Sequence, residues 1–192
     1  MAAVAKAVGA PVDVLGQSSG AHVALHAARR TAQVQRLVLY EPPRLDAFTS
    51  SVRARLHASL EAGDLDSIVA TVLVDVVVST TNPGLLPNAR PQVLAGLRQS
   101  AVWAGALRNA RAIPVEADSY ATYRFDPVEF RDFTTATVLL LGSTSGPVVQ
   151  GWLQDLQAAL PSSRIVVMKG QARGAIHEAP ELFVRIVRAA LA

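Results

Sequence analysis

A short segment near the start of the chain has the residue types and spacing of a serine nucleophile site. It reads Gly16-Gln17-Ser18-Ser19-Gly20 and lies between a β-branched run, Val12 to Leu15, and a helical pattern. In such a G-x-S-x-G turn the serine hydroxyl is lifted above the sheet, and small flanking residues let neighbouring backbone pass close by. The pattern predicts Ser18 as the nucleophile, with the Ser19 N–H and the helix N-terminus stabilising an oxyanion.

The same segment has two other interpretations. A glycine- and serine-rich connection between a strand and a helix is good turn chemistry even without catalysis. A phosphate-binding loop is disfavoured, because the pattern G-x-x-x-x-G-K-[ST] is absent from the sequence. We favour the nucleophile and keep the plain turn as the alternative.

The composition restricts which side chain could activate this serine. The chain has no cysteine, so thiolate catalysis and zinc sites built on sulfur are excluded, and histidine must supply any strong base. His22 and His26 have a spacing that could bind a metal, but no carboxylate accompanies them, and we expect them to pack or face solvent. His57 lies among charged residues and is expected at the surface. We predict neither a metal nor a cofactor.

The elements that must position Ser18 follow from the hydrophobic pattern. Short apolar runs bounded by Gly, Pro or Ser predict buried strands, and helical patterns lie between and after them. The runs are Val12 to Leu15, Arg36 to Tyr40, Thr137 to Leu141, and Arg164 to Met168. Strands that alternate with helices indicate an α/β fold with a parallel sheet covered on both faces.

A long, mostly helical stretch separates the second predicted strand from the third. Pro83, Pro87 and Pro91 interrupt it, so we expect several helices there. We predict a core formed by residues 1–43 and 108–192, with a helical cap inserted at residues 44–107. A cap over the strand ends is where a small-molecule pocket forms in sheets of this kind.

These segments resemble the α/β-hydrolase fold family. The resemblance rests on GQSSG after VDVL, on RLVLYEPP, on TVLLLGSTSGP and on VVMKGQARGAIHEAPELF, and it extends from Met1 to Ala192. It implies a partial α/β-hydrolase fold with a mostly parallel sheet of about four strands and an inserted helical cap. It also implies a Ser…Asp/Glu…His triad in that chain order.

The resemblance places the acid of this triad at Thr144 and the histidine at Arg173, and neither is the expected residue. Arginine cannot be deprotonated in a protein, and threonine carries no charge to stabilise an imidazolium. Only the nucleophile would then remain, and losing the base typically costs such a triad about 10⁶ in kcat. His177, four residues after Arg173, is the candidate replacement base, with an ordinary surface or helix-capping histidine as the alternative.

Three acidic residues are candidates to replace the missing acid: Glu41, Asp118 and Asp126. Glu41 belongs to the LYEPP turn, and the two aspartates are expected in loops or near Pro127. No partner histidine can be identified for any of them, so we assign none of them a role.

The resemblance further implies strands before the serine turn and a second oxyanion N–H, and neither precedes Val12 in this sequence. Val12 to Leu15 would then lie at an edge of the sheet with unpaired N–H and C=O groups. We therefore predict self-association, or a partner chain that supplies a strand.

The overall composition excludes several classes of protein. With 51% hydrophobic and 17% charged residues, this chain of 192 residues is expected to fold as one body. It has neither an apolar run long enough to span a membrane nor a signal-peptide pattern, so we expect a soluble, cytoplasmic protein. The net charge of +3 is scattered and aromatic residues are only 5%, which disfavours a nucleic-acid partner.

Two functional hypotheses follow from these observations. The first is a hydrolase that acts on a small ester or another acyl substrate through Ser18, with a degraded triad and an apolar or acyl ligand. The second is a catalytically inactive binding protein of the same fold, or a truncated fragment that needs a partner chain. Arg173 and Thr144 favour the second hypothesis, because neither can do the work of the residue it replaces.

Overall fold

The computed structural model describes residues 1–78 and 89–192, and its centre is a parallel sheet. The strands are β1 (Val12–Gln17), β2 (Val34–Tyr40), β3 (Ala136–Gly142) and β4 (Ser163–Met168). They lie in the order β1-β2-β3-β4, and every neighbouring pair is parallel. The α/β fold class and the four predicted strands are confirmed.

Helices cover both faces of this sheet or form a separate group between β2 and β3. In chain order they are α1 (Ala2–Ala7), α2 (Ser19–Arg29), α3 (Ser50–Glu61), α4 (Leu65–Ala70), α5 (Arg90–Arg98), α6 (Ala101–Asn109), α7 (Ile113–Thr122), α8 (Pro147–Ala159), α9 (Ala175–Glu178) and α10 (Pro180–Ala190). A π-helical stretch, Thr71–Val78, continues α4. Short 3₁₀ turns lie at Leu45–Ala47, Ala110–Ala112 and Pro127–Phe130.

Each face of the sheet has its own core, because successive side chains of a strand point to opposite faces. Leu37 and Leu39 of β2 pack with residues of α2 and α8 on one face. Val38 and Tyr40 pack with Phe183 of α10 on the other. Burial on both sides explains why β2 and β3 read as nearly continuous apolar runs in the sequence, whereas β1 and β4 are only partly buried.

The chain divides into two compact units. One comprises Met1–Pro43 and Phe125–Ala192, and the other comprises Arg44–Arg124. The second unit is helical and has its own core, which includes Leu56, Ile68 and Trp103. Because Ala117 of α7 belongs to this core, the unit extends beyond residue 107, where the sequence analysis ended the inserted segment.

The role of the inserted segment as a cap stays a prediction, and two of its prolines, Pro83 and Pro87, lie outside the described residues. Pro91 is described and lies in the first turn of α5, where its missing N–H costs no helical hydrogen bond.

The sheet ends at β1, which pairs only with β2 within residues 1–78 and 89–192. Leu15 of this strand is 39% exposed. That another strand or a second copy of the chain binds there stays a prediction. No helix in the described part of the chain is both long and apolar enough to cross a membrane.

Candidate functional site

Ser18 forms the whole connection between β1 and α2. Its φ of 53° and ψ of −130° lie outside the regions that L-residues ordinarily occupy. The turn is held from both sides, because the Ser18 N–H donates to the Tyr40 carbonyl at 3.0 Å and the Ser18 carbonyl accepts from the Ala21 N–H at 2.9 Å. Strain of this kind persists only where the surroundings enforce it, and it is concentrated at functional sites.

The two glycines that flank this turn are not equivalent. A Cβ added at Gly16 would lie 2.6 Å from the Ala21 Cα and 2.8 Å from the Gly20 carbonyl oxygen, so a side chain there has no space. Apart from its chain neighbours and the backbone of its own helix, a Cβ added at Gly20 would have no heavy atom of the described residues within 4 Å. The expectation that close packing requires a small residue is therefore confirmed at Gly16 and wrong at Gly20.

The reactive groups predicted from the sequence belong to two consecutive residues at this turn. Ser18 is half-buried, and although it precedes α2, its hydroxyl does not cap the helix. Ser19 is the first residue of α2, so its N–H has no acceptor within the helix. A carbonyl oxygen placed beside the Ser18 hydroxyl would meet this N–H and the positive end of the helix dipole.

Glu41 occupies the position next to Ser18 on the neighbouring strand. Gln17 is in register with Tyr40, and Ser18 and Glu41 are the residues that follow them. Glu41 is 1% exposed, and its Oε1 accepts hydrogen bonds from the Gly142 N–H at 2.8 Å and the Ser145 hydroxyl at 2.5 Å. A buried carboxylate is thus fixed at the carboxyl edge of the sheet.

Arg173 lies against this carboxylate from the loop after β4. Its Nη2 donates to the Glu41 carbonyl at 3.4 Å, and its Nε lies 3.9 Å from Glu41 Oε2. Burial lowers the pKa of Arg173, and the charge of Glu41 opposes this shift. Neither this Nε nor this Oε2 has a hydrogen-bond partner in the part of the chain that the structure describes. The two side chains form an ion pair that is largely excluded from water.

Tyr40 fixes the loop that carries Arg173. Its buried hydroxyl donates to the Ala172 carbonyl and accepts from the Ala175 N–H at 3.2 Å, so the loop is held on both sides of Arg173. Burial and the neighbouring charge of Glu41 raise the pKa of Tyr40, which keeps the phenol protonated and able to donate.

His22 attaches the helix that follows Ser18 to the segment that follows Glu41. Its Nε2 hydrogen-bonds to the Pro43 carbonyl at 2.8 Å, so this nitrogen carries the proton. Burial lowers the pKa of His22, and His26 lowers it further, against the effect of the Pro43 hydrogen bond. His26 makes an edge contact with Phe130.

Thr144 and His177, the other residues predicted from the sequence, make no hydrogen bond to Ser18 within the described residues. Thr144 is exposed, and its hydroxyl donates to the Gln171 carbonyl at 2.8 Å. His177 is exposed on the short helix α9, and no hydrogen bond to Ser18 is found among the described residues. Its role as a base stays a prediction.

The contact between Glu41 and Arg173 was not anticipated from the sequence. One signal was present, because Glu41 directly follows a strand and the carboxyl ends of parallel strands meet at one edge of the sheet. Asp118 binds Arg53 and His57 within the helical unit. Asp126 caps the turn Pro127–Phe130 by accepting from the Val128 N–H.

A parallel sheet whose first strand runs through a strained serine turn into a helix defines an α/β-hydrolase type of architecture. The profile described as "Alpha/beta hydrolase family" matches residues 1–186, and the chain belongs to this family.

Solved structures of α/β hydrolases share the fold. An α/β hydrolase from Sphaerobacter thermophilus is 24% identical with a TM-score of 0.79, over 100% of this chain and 71% of that one. MenH from S. aureus is 15% identical with a TM-score of 0.65, over 94% of this chain and 68% of that one. An esterase from Exiguobacterium antarcticum is 16% identical with a TM-score of 0.58, over 98% of this chain and 70% of that one. No curated protein matches the sequence.

Proposed function

We propose that this chain carries a serine hydrolase site that acts on a small ester or another small acyl substrate through Ser18. The observation that carries this proposal is the strained, half-buried Ser18, which lies at the end of β1 directly before the N-terminus of α2. Membership of the hydrolase family supports the same reaction class. The esterase among the structural neighbours is named for this chemistry, although its likeness extends only to the fold.

The reaction would proceed through an acyl-enzyme. The Ser18 Oγ bonds to the acyl carbon, its proton passes to a base, and the oxyanion is held by the Ser19 N–H. The bond to the leaving alcohol then breaks, and the alcohol takes the proton. Water attacks the acyl-serine in the same way, which releases the carboxylic acid and returns the proton to Ser18.

The base in this scheme cannot be Arg173, because a guanidinium stays protonated. We assign the base to His177, as the sequence predicts. It lies on the four-residue helix α9, which begins two residues after Arg173. To act, this exposed side chain has to turn towards Ser18.

A second candidate function is binding without turnover. The ion pair between Arg173 and Glu41 favours it, because a permanent cation occupies the position that the resemblance gives to the base. Ser18 would then contact a ligand without attacking it.

Labelling with a fluorescent phosphonate separates these two functions. Such phosphonates react with activated serines, so we expect label on the unaltered chain and on the matched control Ser162→Ala, which removes an exposed serine. We expect none on Ser18→Ala. Turnover of p-nitrophenyl butyrate should be lost in Ser18→Ala and fall about 10²-fold or more in His177→Ala.

The results that decide between the functions are distinct. Absence of label on the unaltered chain refutes the hydrolase proposal and favours binding. Label that survives Ser18→Ala refutes Ser18 as the nucleophile. Full turnover in His177→Ala refutes only the assignment of the base.

A further inference from the structure

We infer that Glu41 is the acidic positioning residue of the Ser18 site and that it orients the side chain at position 173. The inference rests on the proposed function, because it names the acid that would serve the same nucleophile. Glu41 takes the place of Thr144, the residue at which the resemblance put the acid of the triad. The sequence analysis had assigned Glu41 no role.

The first support is backbone strain. Ser18, with φ 53°, and Glu41, with φ 40°, are the two non-glycine residues with positive φ in residues 1–78 and 89–192. They occupy consecutive register positions at the ends of neighbouring strands. A glutamate gains nothing locally from this conformation, so the surrounding structure must enforce it. The two strained residues are therefore neighbours at the carboxyl edge of the sheet.

The second support is the way in which the carboxylate is held. Burying a carboxylate costs on the order of several kcal/mol unless hydrogen bonds and an opposite charge compensate for the hydration it loses. Oε1 has two donors, the Gly142 N–H and the Ser145 hydroxyl, and both come from the end of β3 and the turn after it. Oε2 has no hydrogen-bond donor among the described residues and faces Arg173. One oxygen is thus anchored, and the other is presented to position 173.

The third support is that Thr144 is engaged elsewhere. Its hydroxyl donates to the Gln171 carbonyl, and its side chain is exposed to solvent. No hydrogen bond joins it to Arg173 in the part of the chain that the structure covers. An acid that orients a neighbour has to contact that neighbour, and Glu41 is the acidic residue that does so.

This arrangement gives Glu41 a partner that cannot serve as a base. The carboxylate that would orient an imidazole and stabilise its charge instead faces a guanidinium, which cannot accept the Ser18 proton. An imidazole nitrogen reaches about as far from the main chain as an arginine Nε. Arg173→His would therefore place a titratable nitrogen beside Glu41 Oε2.

The test uses the full-length chain with Arg173→His as the starting variant. NMR titration of the imidazole introduced at position 173 is compared between R173H, R173H/E41Q and R173H/T144V. An adjacent carboxylate favours the protonated ring, so the titration midpoint should lie about 1 pH unit higher in R173H than in R173H/E41Q. R173H/T144V should titrate like R173H. Equal midpoints in R173H and R173H/E41Q overturn the inference, as does a midpoint lowered only by T144V.

Kinetics on the same variants give a second readout. Turnover of p-nitrophenyl butyrate should rise at least about 10²-fold in R173H over the unaltered chain, and R173H/E41Q should lose most of that gain. The acid limb of kcat/KM should move to lower pH in R173H/E41Q. Partial rescue in R173H/E41D shows that the charge is required, and far-UV circular dichroism checks that each variant is folded.

Failure of the inference and failure of the proposed function give different results. Activity gained in R173H that depends on Ser18 but is unaffected by E41Q overturns the role of Glu41 and leaves the hydrolase standing. Activity or phosphonate labelling that survives Ser18→Ala overturns the proposed function. The titration midpoints still decide whether Glu41 faces position 173.

Discussion

Gly16→Ala is expected to destabilise the sheet unit and to displace the helix that follows Ser18. The new Cβ would lie 2.6 Å from the Ala21 Cα, 2.8 Å from the Gly20 carbonyl oxygen and 2.9 Å from the Ala24 Cβ. Real Cβ atoms do not approach heavy atoms this closely. Two of the three atoms belong to the backbone of α2, so no side-chain rotation can relieve the contact and the helix itself must move.

The size of the effect follows from two opposing contributions. Gly16 does not have a left-handed φ, so an alanine is compatible with its backbone and would by itself stabilise the fold by about 0.4–1 kcal/mol. Overpacking of a well-packed site costs about 1–3 kcal/mol, and rigid neighbours place this site near the upper end. We expect a net loss of roughly 2 kcal/mol in the free energy of unfolding, or about 4–8 °C in Tm for a chain of this size.

Gly20→Ala is the matched control, because it adds the same methyl group four residues later in the same turn. An added Cβ there meets no heavy atom of the described residues within 4 Å beyond its chain neighbours and its own helix backbone. Alanine is also the better helix former by up to about 1 kcal/mol. Urea unfolding followed by circular dichroism should give a lower midpoint for Gly16→Ala and an unchanged or higher one for Gly20→Ala. Equal midpoints for the two variants would refute the packing argument.

Three further predictions concern the surroundings of the site. Tyr40→Phe removes the hydroxyl that binds the Ala172 carbonyl and the Ala175 N–H. The free energy of unfolding measured by urea titration should therefore fall by about 1–3 kcal/mol. An unchanged urea midpoint would contradict the role of Tyr40 in holding the loop. Burial lowers the pKa of His22 below its ordinary 6.5, so the unfolded chain takes up a proton more readily than the folded chain does. The free energy of unfolding should therefore decrease as pH falls below about 6.5. Glutamine at position 22 can still donate to the Pro43 carbonyl but does not titrate. His22→Gln should therefore reduce the pH dependence of the urea midpoint between about pH 8 and pH 5. The same pH dependence in both proteins would refute His22 as its source. The exposed edge at β1 predicts concentration-dependent association in size-exclusion chromatography, and a stable monomer at every concentration would count against it.

Much of the fold could be predicted because its signals are local. The runs Leu37 to Tyr40 and Val138 to Leu141 are hydrophobic at every position, which suits strands buried on both faces. Ser18 could be placed at the end of a strand because G-x-S-x-G combines a tight turn, small residues and a helix start within five residues. These features depend on neighbours along the chain, and short-range sterics and periodicity are sufficient to reveal them.

The partners of the site residues could not be predicted in the same way. Glu41 and Arg173 are 132 positions apart, and they meet only because β2 and β4 flank β3 in register. The different demands at Gly16 and Gly20 depend on how closely α2 approaches the end of β1.

The sequence by itself determined which residues could react and which segments are strands and helices. Tertiary structure alone decided that a buried carboxylate lies beside the strained serine turn and faces an arginine. The physical reason is that hydrogen bonds and charge pairs between distant residues depend on strand order, register and helix packing. None of these leaves a local pattern in the chain.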